Sequence, residues 1–160
     1  MDWVAEGIAI GDMRDAIDHS GLREAGIEAI LQLYGAERER VGFPIPVEVL
    51  QLQVADRVPP PPALLRRGVE FIRRQRAGER SLLVACGAGI SRSPTFVAAY
   101  LHEEGADLRE AYRQIIRVRP QTRPHPALLR SLIQYYQIDT PAEELLSALS
   151  RMKRPAPRQR

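Results

Sequence analysis

One stretch constrains this chain more than any other. An apolar run, Ser81-Leu82-Leu83-Val84-Ala85, leads into Cys86-Gly87-Ala88-Gly89-Ile90-Ser91-Arg92-Ser93, and Pro94 then opens an apolar helical pattern from Thr95 to Leu101. The order reads as strand, tight loop and helix N-terminus. Gly87 and Gly89 let the loop curl so that backbone N–H groups can point inward as an anion nest. The helix adds its own unpaired N–H groups and the positive end of its dipole. Arg92 offers a planar fork that matches two oxygens of a tetrahedral anion. A thiol held at the base of such a loop is activated as a nucleophile. A lone cysteine after a strand is most often a small core residue. Here the two glycines, the arginine, Ser93 and the strand-to-helix setting favour an oxyanion site.

The rest of the chain supplies a scaffold for that loop. Trp3 to Ile10 predicts a first strand, and Asp12 can cap a helix from Met13 to about Ala25. After Gly26, Ile27 to Leu33 predicts a second strand, and Tyr34 to Pro46 reads as an exposed connection. Val47 to Val54 alternates as a half-covered strand with Val and Leu on one face. A helix starts at Pro62 or Ala63, carries a stripe of Leu64, Leu65, Val69, Phe71 and Ile72, and ends at Gly78. After the loop and its helix, Asp107 caps a helix to about Val118, Pro120 to Pro126 is a link, and Ala127 to Tyr136 is another helix. Thr140-Pro141-Ala142-Glu143 reads as a capping box, with Pro141 at the first helical position, that starts a last helix to about Arg151. Strands separated by helices argue an α/β fold: a central, mostly parallel sheet of four to five strands flanked by helices. In such sheets ligands sit at the carboxyl ends of strands, which is where the loop falls.

Composition narrows the setting. A chain of 160 residues with 44% apolar and 27% charged residues suits a single domain, here 1–151. The formal net charge of +3 is misleading, because the last ten residues carry Arg151, Lys153, Arg154, Arg158 and Arg160 without an acid; removing those five leaves −2. Residues 152–160 are therefore expected to be a basic, disordered tail, and no nucleic-acid partner is expected. One cysteine excludes an internal disulfide. No signal peptide or long apolar run is apparent, so the expectation is a cytoplasmic chain without a membrane partner.

Cys86-x5-Arg92-Ser93, with Gly87, Gly89 and the following Pro94-Thr95, resembles the signature of the cysteine-dependent protein tyrosine phosphatases, and most of all their dual-specificity branch. The resemblance runs from about Trp3 to Tyr136. It includes Arg119-Pro120-x3-Pro124, where the family usually continues with Asn and this chain has His125. It implies a phosphatase-like fold and a phosphomonoester hydrolase acting on a phosphorylated protein or peptide. It also implies a monomer that needs no metal or other cofactor. Cys86 is then the nucleophile. Arg92 and the backbone of Gly87, Ala88, Gly89, Ile90, Ser91 and Arg92 hold the phosphate, and Ser93 stabilises the departing thiolate. A basic leaving oxygen needs a general acid. The family keeps that acid about thirty residues upstream, and Asp56, in the Pro-rich segment after the Val47–Val54 strand, fits. Read alone, Asp56 is a turn aspartate ahead of Arg57. Asp12 and Asp107 read as helix caps.

The family's residue before the nucleophile is usually His, and Ala85 offers no side-chain donor in its place. Phosphotyrosine, with phosphoserine and phosphothreonine, is the expected substrate class. A non-protein phosphomonoester or an RNA end, and a catalytically idle phosphate-binding module, stay open. His19, His102 and His125 are too scattered for a metal cluster and read as surface or helix-packing residues. Tyr135-Tyr136 reads as core. The Arg73-Arg74-x-Arg76 and Arg109-x3-Arg113-x3-Arg117 clusters read as solvated helix faces.

Overall fold

The structure, a computed structural model, describes residues 1–35 and 46–152. Among the described residues, five strands form one sheet in the order β1-β2-β5-β3-β4. These are β1 (Asp2–Ala5), β2 (Ile8–Gly11), β3 (Ala29–Gln32), β4 (Glu48–Gln51) and β5 (Leu82–Ala85). Only the β1–β2 pair is antiparallel; β2, β3 and β4 join β5 or one another in parallel. The helices are α1 (Met13–Ile17), α2 (His19–Glu24), α3 (Pro62–Ala77), α4 (Arg92–Glu103), α5 (Leu108–Val118), α6 (Pro126–Tyr135) and α7 (Ala142–Met152).

The central strands are apolar on both faces because both faces are covered. Leu82, Val84 and Cys86 of the β5 segment enter the larger core, with Ile8, Ile10, Leu31, Leu33, Phe96, Tyr112 and Leu129. Leu83 and Ala85 point the other way, into a smaller cluster with Ala9, Ala16, Leu22, Ile27 and Ile30. Each large side chain fully buried in this way contributes about 1.5–3 kcal/mol. The β5 strand is thus locked between two layers, and the loop that follows starts from a fixed point.

Four expectations need correction. Trp3 to Ile10 is not one strand: Gly7, at φ +64°, turns the chain between β1 and β2. The helix expected over Met13–Ala25 is broken at Asp18, whose carboxylate accepts from the Gly21 N–H and caps α2. In the β4 segment Leu50, Leu52 and Val54 face the larger core, while Val49 lies on the outer face, exposed. Pro141 lies ahead of α7, not in its first turn; its carbonyl accepts from the N–H groups of Glu144 and Leu145. The expected connection over Tyr34–Pro46 lies, for residues 36–45, outside the described residues. So does the expected tail from residue 153 on, whereas Met152 still belongs to α7.

Candidate active site

The loop Cys86–Ser91 leaves the carboxyl end of β5, the middle strand of the sheet, and runs into α4. Its neighbours hold it from outside. The Gly87 carbonyl accepts from the Met13 N–H (3.4 Å), the Ile90 carbonyl from the Arg123 N–H (2.7 Å), and the Ser91 carbonyl from the Thr95 N–H (3.0 Å). The Gly89 carbonyl accepts from Nε of Arg119 at 2.7 Å. A trans peptide is planar, so a carbonyl held on one side turns the next N–H to the other. Outward carbonyls at Gly87, Gly89, Ile90 and Ser91 therefore aim the N–H groups of Ala88, Ile90, Ser91 and Arg92 to the opposite side. A cavity of about 590 Å³ opens at this loop, lined by Cys86, Gly87, Ala88, Ile90, Ser91 and Arg92. Gly89 does not line it: this residue, at φ +65°, turns the chain behind the cradle.

Arg92 is placed by the sheet. Its Nη1 donates to the carbonyls of Leu33 (3.2 Å) and Val54 (2.9 Å), which follow β3 and β4. With Nη1 so occupied, the rest of the fork faces the loop: a Cβ on Gly87 would lie 3.1 Å from Nη2. The Nε is buried and makes no hydrogen bond among the described residues. Its nearest anion is Oδ1 of Asp56, at 3.5 Å, an ion pair without hydrogen-bond geometry. Such a buried, unsatisfied donor beside a cavity is what an incoming oxyanion can satisfy.

Asp56 sits in a turn with Arg57, lines the same cavity and is more than half exposed. The tertiary fold therefore brings Asp56, from the segment after β4, to the same cavity as Cys86 and Arg92 of the loop. Ser93 is fully buried, and its Oγ has no hydrogen-bond partner among the described residues. The α4 N-terminus is tied down next to it. Thr95 Oγ1 donates to the Ser91 carbonyl (2.8 Å), so the Tyr112 hydroxyl, 3.3 Å away, is the donor to Thr95. Ser91 Oγ in turn accepts from the His125 N–H at 3.0 Å.

The sequence reading missed several residues. Arg123, Pro124, His125 and Pro126 line the cavity. His125 is not a bystander: its Nδ1 accepts from the Ala127 N–H and caps α6, so the imidazole supplies the side-chain acceptor that Asn would have given. The only signal was its place after Pro124. Arg119, 5% exposed, is the buried support of Gly89 and also donates to Asp2. Nearby, burial pushes the Tyr34 phenol up, and its proximity to Asp12 and Cys86 adds to the effect. Asp12 itself is a cap, as expected, accepting from the N–H groups of Arg14 and Asp15.

Comparison with known proteins agrees with this geometry. The sequence model of the family "Dual specificity phosphatase, catalytic domain" matches residues 11–138. Human dual specificity protein phosphatase 12 is 30% identical over 145 residues, covering 86% of this chain and 43% of that protein. Human protein phosphatase Slingshot homolog 3 is 35% identical over 94 residues, 54% of this chain and 14% of that one. The chain thus spans less than half the length of these curated relatives. Among solved structures, a mouse putative dual specificity phosphatase complexed with zinc tungstate superposes with a TM-score of 0.76 at 27% identity, covering 85% of this chain and 86% of that one. Human DUSP28 gives a TM-score of 0.76 at 24% identity, over 86% and 96% of the two chains, and supports the fold alone. No helix of the described residues is long and apolar enough to cross a membrane. On the match over 11–138, the chain belongs to the dual specificity phosphatase family.

Proposed function

We propose that the chain is an active protein phosphatase that hydrolyses phosphotyrosine, and phosphoserine and phosphothreonine with it, through a phosphocysteine. The observation that carries this reading is the convergence of Cys86, Arg92 and Asp56 on one cavity at the end of the middle strand. The thiolate of Cys86 attacks phosphorus in line, forming an S–P bond as the P–O bond to the leaving group breaks. The loop N–H groups and the free side of the Arg92 fork hold the equatorial oxygens, where the transition-state charge lies. Asp56 gives its proton to the departing oxygen. It then takes one from the water that cleaves the S–P bond, releasing phosphate and the thiolate. The buried, unpartnered Ser93 hydroxyl is the donor for that thiolate.

The test is turnover of nitrophenyl phosphate and of phosphotyrosine, phosphoserine and phosphothreonine peptides in the presence of EDTA, beside Cys86→Ser. The expected result is hydrolysis by the wild type, fastest on phosphotyrosine, and none by Cys86→Ser. Ala85, which cannot donate to the loop, favours a second reading, a phosphate-binding module without turnover. A wild type that binds tungstate and hydrolyses none of these substrates establishes that one.

A further inference from the structure

Arg119 is an expensive residue to hold where it is. Its side chain is 6% exposed, and a buried charge must be paired and hydrogen-bonded to be tolerated. Asp2 of β1 supplies the counter-charge at Nη1, and the carbonyl of Ile10 in β2 lies 3.5 Å from the same nitrogen. The Nε is left for one group, the Gly89 carbonyl in the phosphate loop. Contact with Gly89 is close enough to demand glycine there: a Cβ would stand 2.4 Å from Nη2 of Arg119 and 2.6 Å from the Gly11 carbonyl. A purely stabilising role is served as well by apolar groups of similar volume. What apolar groups cannot do is hold a carbonyl. The strand before the loop offers no help, since Ala85 is sealed in the smaller core.

We propose that Arg119, anchored by Asp2, is the positioning residue of the phosphate loop. It fixes the Gly89–Ile90 peptide plane and so aims the Ile90 N–H at the bound oxyanion, replacing a side-chain donor at position 85. The inference deepens the proposed phosphatase reading and rests on it only for the turnover arm. Arg119→Lys keeps the charge and loses the fork. Asp2→Asn keeps an acceptor and loses the anchoring charge. Arg119→Met removes the bonds to Gly89, Asp2 and Ile10 together. A misaimed donor costs the transition state more than the ground state, so kcat falls more than KM rises.

The experiment measures tungstate affinity by calorimetry in a Cys86→Ser background, kcat and KM in the Cys86 enzyme, and melting temperature for all variants. Binding and kinetics are read at a temperature where each variant is folded. Tungstate binding is expected to weaken and kcat to fall in the order Asp2→Asn, Arg119→Lys, Arg119→Met, reaching about ten- to hundredfold for the last. The preference of the enzyme among leaving groups should stay unchanged, because Asp56 is untouched. Arg130→Lys, which alters only an exposed ion pair to Glu143, should behave as wild type. If Arg119→Met does not fold, Arg119→Lys and Asp2→Asn decide. Folded variants with wild-type tungstate affinity and kcat, whatever their melting temperature, overturn the proposal. A wild type that binds tungstate without turnover defeats the phosphatase reading alone, and the affinities still test the loop.

Discussion

The carboxylate of Asp56 lies 3.5 Å from Nε of Arg92, and both residues line the cavity that Cys86 also lines. The group assigned to give up a proton therefore stands against the group assigned to hold the phosphate. The Val54 carbonyl links the two placements: with Leu33 it holds Nη1 of Arg92, and it lies two residues before Asp56. In the proposed mechanism, a phosphomonoester gives the unsatisfied Nε an oxygen and has its leaving oxygen on the Asp56 side.

Asp56→Asn tests that assignment. With basic leaving groups, such as phosphotyrosine or phenyl phosphate, kcat should fall by about 10²–10⁴, the usual worth of a positioned general acid. With nitrophenyl phosphate, which leaves without a proton, the loss should be much smaller. Steady-state kinetics over a series of aryl phosphates reads this directly. An equal loss across the series places the acid elsewhere.

The contrast between Asp56 and Arg119 explains what the sequence could reveal. The loop, its strand and its helix are local: glycines, cysteine and arginine within eight positions dictate a strand–loop–helix unit, and the structure has it. Asp56 is singled out because the resemblance places an acid about thirty residues before the nucleophile, in the segment after an alternating strand; by itself it reads as a turn aspartate. Arg119 acts on Gly89, thirty residues away, and is held by Asp2 at the far end of the chain; no local pattern marks a contact of that kind. Leu33 and Val54 serve Arg92 through backbone carbonyls, which any residue would provide. Some misses did carry a signal. Glu6-Gly7 marks a turn inside the apolar stretch read as one strand. Asp18 followed by Ser20 and Gly21 is a cap inside the stretch read as one helix, and Ser20 Oγ also donates to it. Val49 was misassigned because an edge strand can leave a valine exposed, so alternation there does not fix which face is inward.

Ala85 bears on stability as well as chemistry. Its side chain is fully buried against Ala9, Ala16 and Ile30. An imidazole there overfills a small, closed cluster, at a cost of about 1–3 kcal/mol. Ala85→His should therefore lower the melting temperature by several degrees, at roughly 2–4 °C per kcal/mol for a chain of this size, and should not raise turnover. Thermal unfolding and nitrophenyl phosphate kinetics check both. Unchanged melting with faster turnover means that the cluster can accommodate the ring and that the loop gains from a donor at this position.

Alkaline stability follows from Tyr112, which is fully buried, and from Tyr34, Tyr100 and Tyr136, which are partly buried. Burial pushes the Tyr112 phenol well above its ordinary range, and burial together with Glu103 does the same for Tyr136; Tyr34 and Tyr100 are raised too, again chiefly by burial. A raised value in the folded state means that the unfolded chain ionises first. The contribution to stability is thus intact below the unfolded value of about 10 and is lost as pH rises through and beyond it. Urea midpoints measured across that range should fall steeply with pH, and tyrosinate absorbance should develop together with unfolding. Tyr112→Phe should flatten part of the slope. Full tyrosine ionisation near pH ~10 in a chain that stays folded contradicts the burial described for these rings.

The central claim is that Cys86 carries the phosphoryl group during turnover. Acid quenching within the first turnover on nitrophenyl phosphate, followed by mass analysis of the peptide that contains Cys86, measures this most directly. The account predicts that peptide heavier by one phosphoryl group, in an amount that matches a burst of nitrophenolate, and absent from Cys86→Ser. Turnover by the wild type with no phosphoryl group on Cys86 at any quench time, or undiminished turnover by Cys86→Ser, would contradict it.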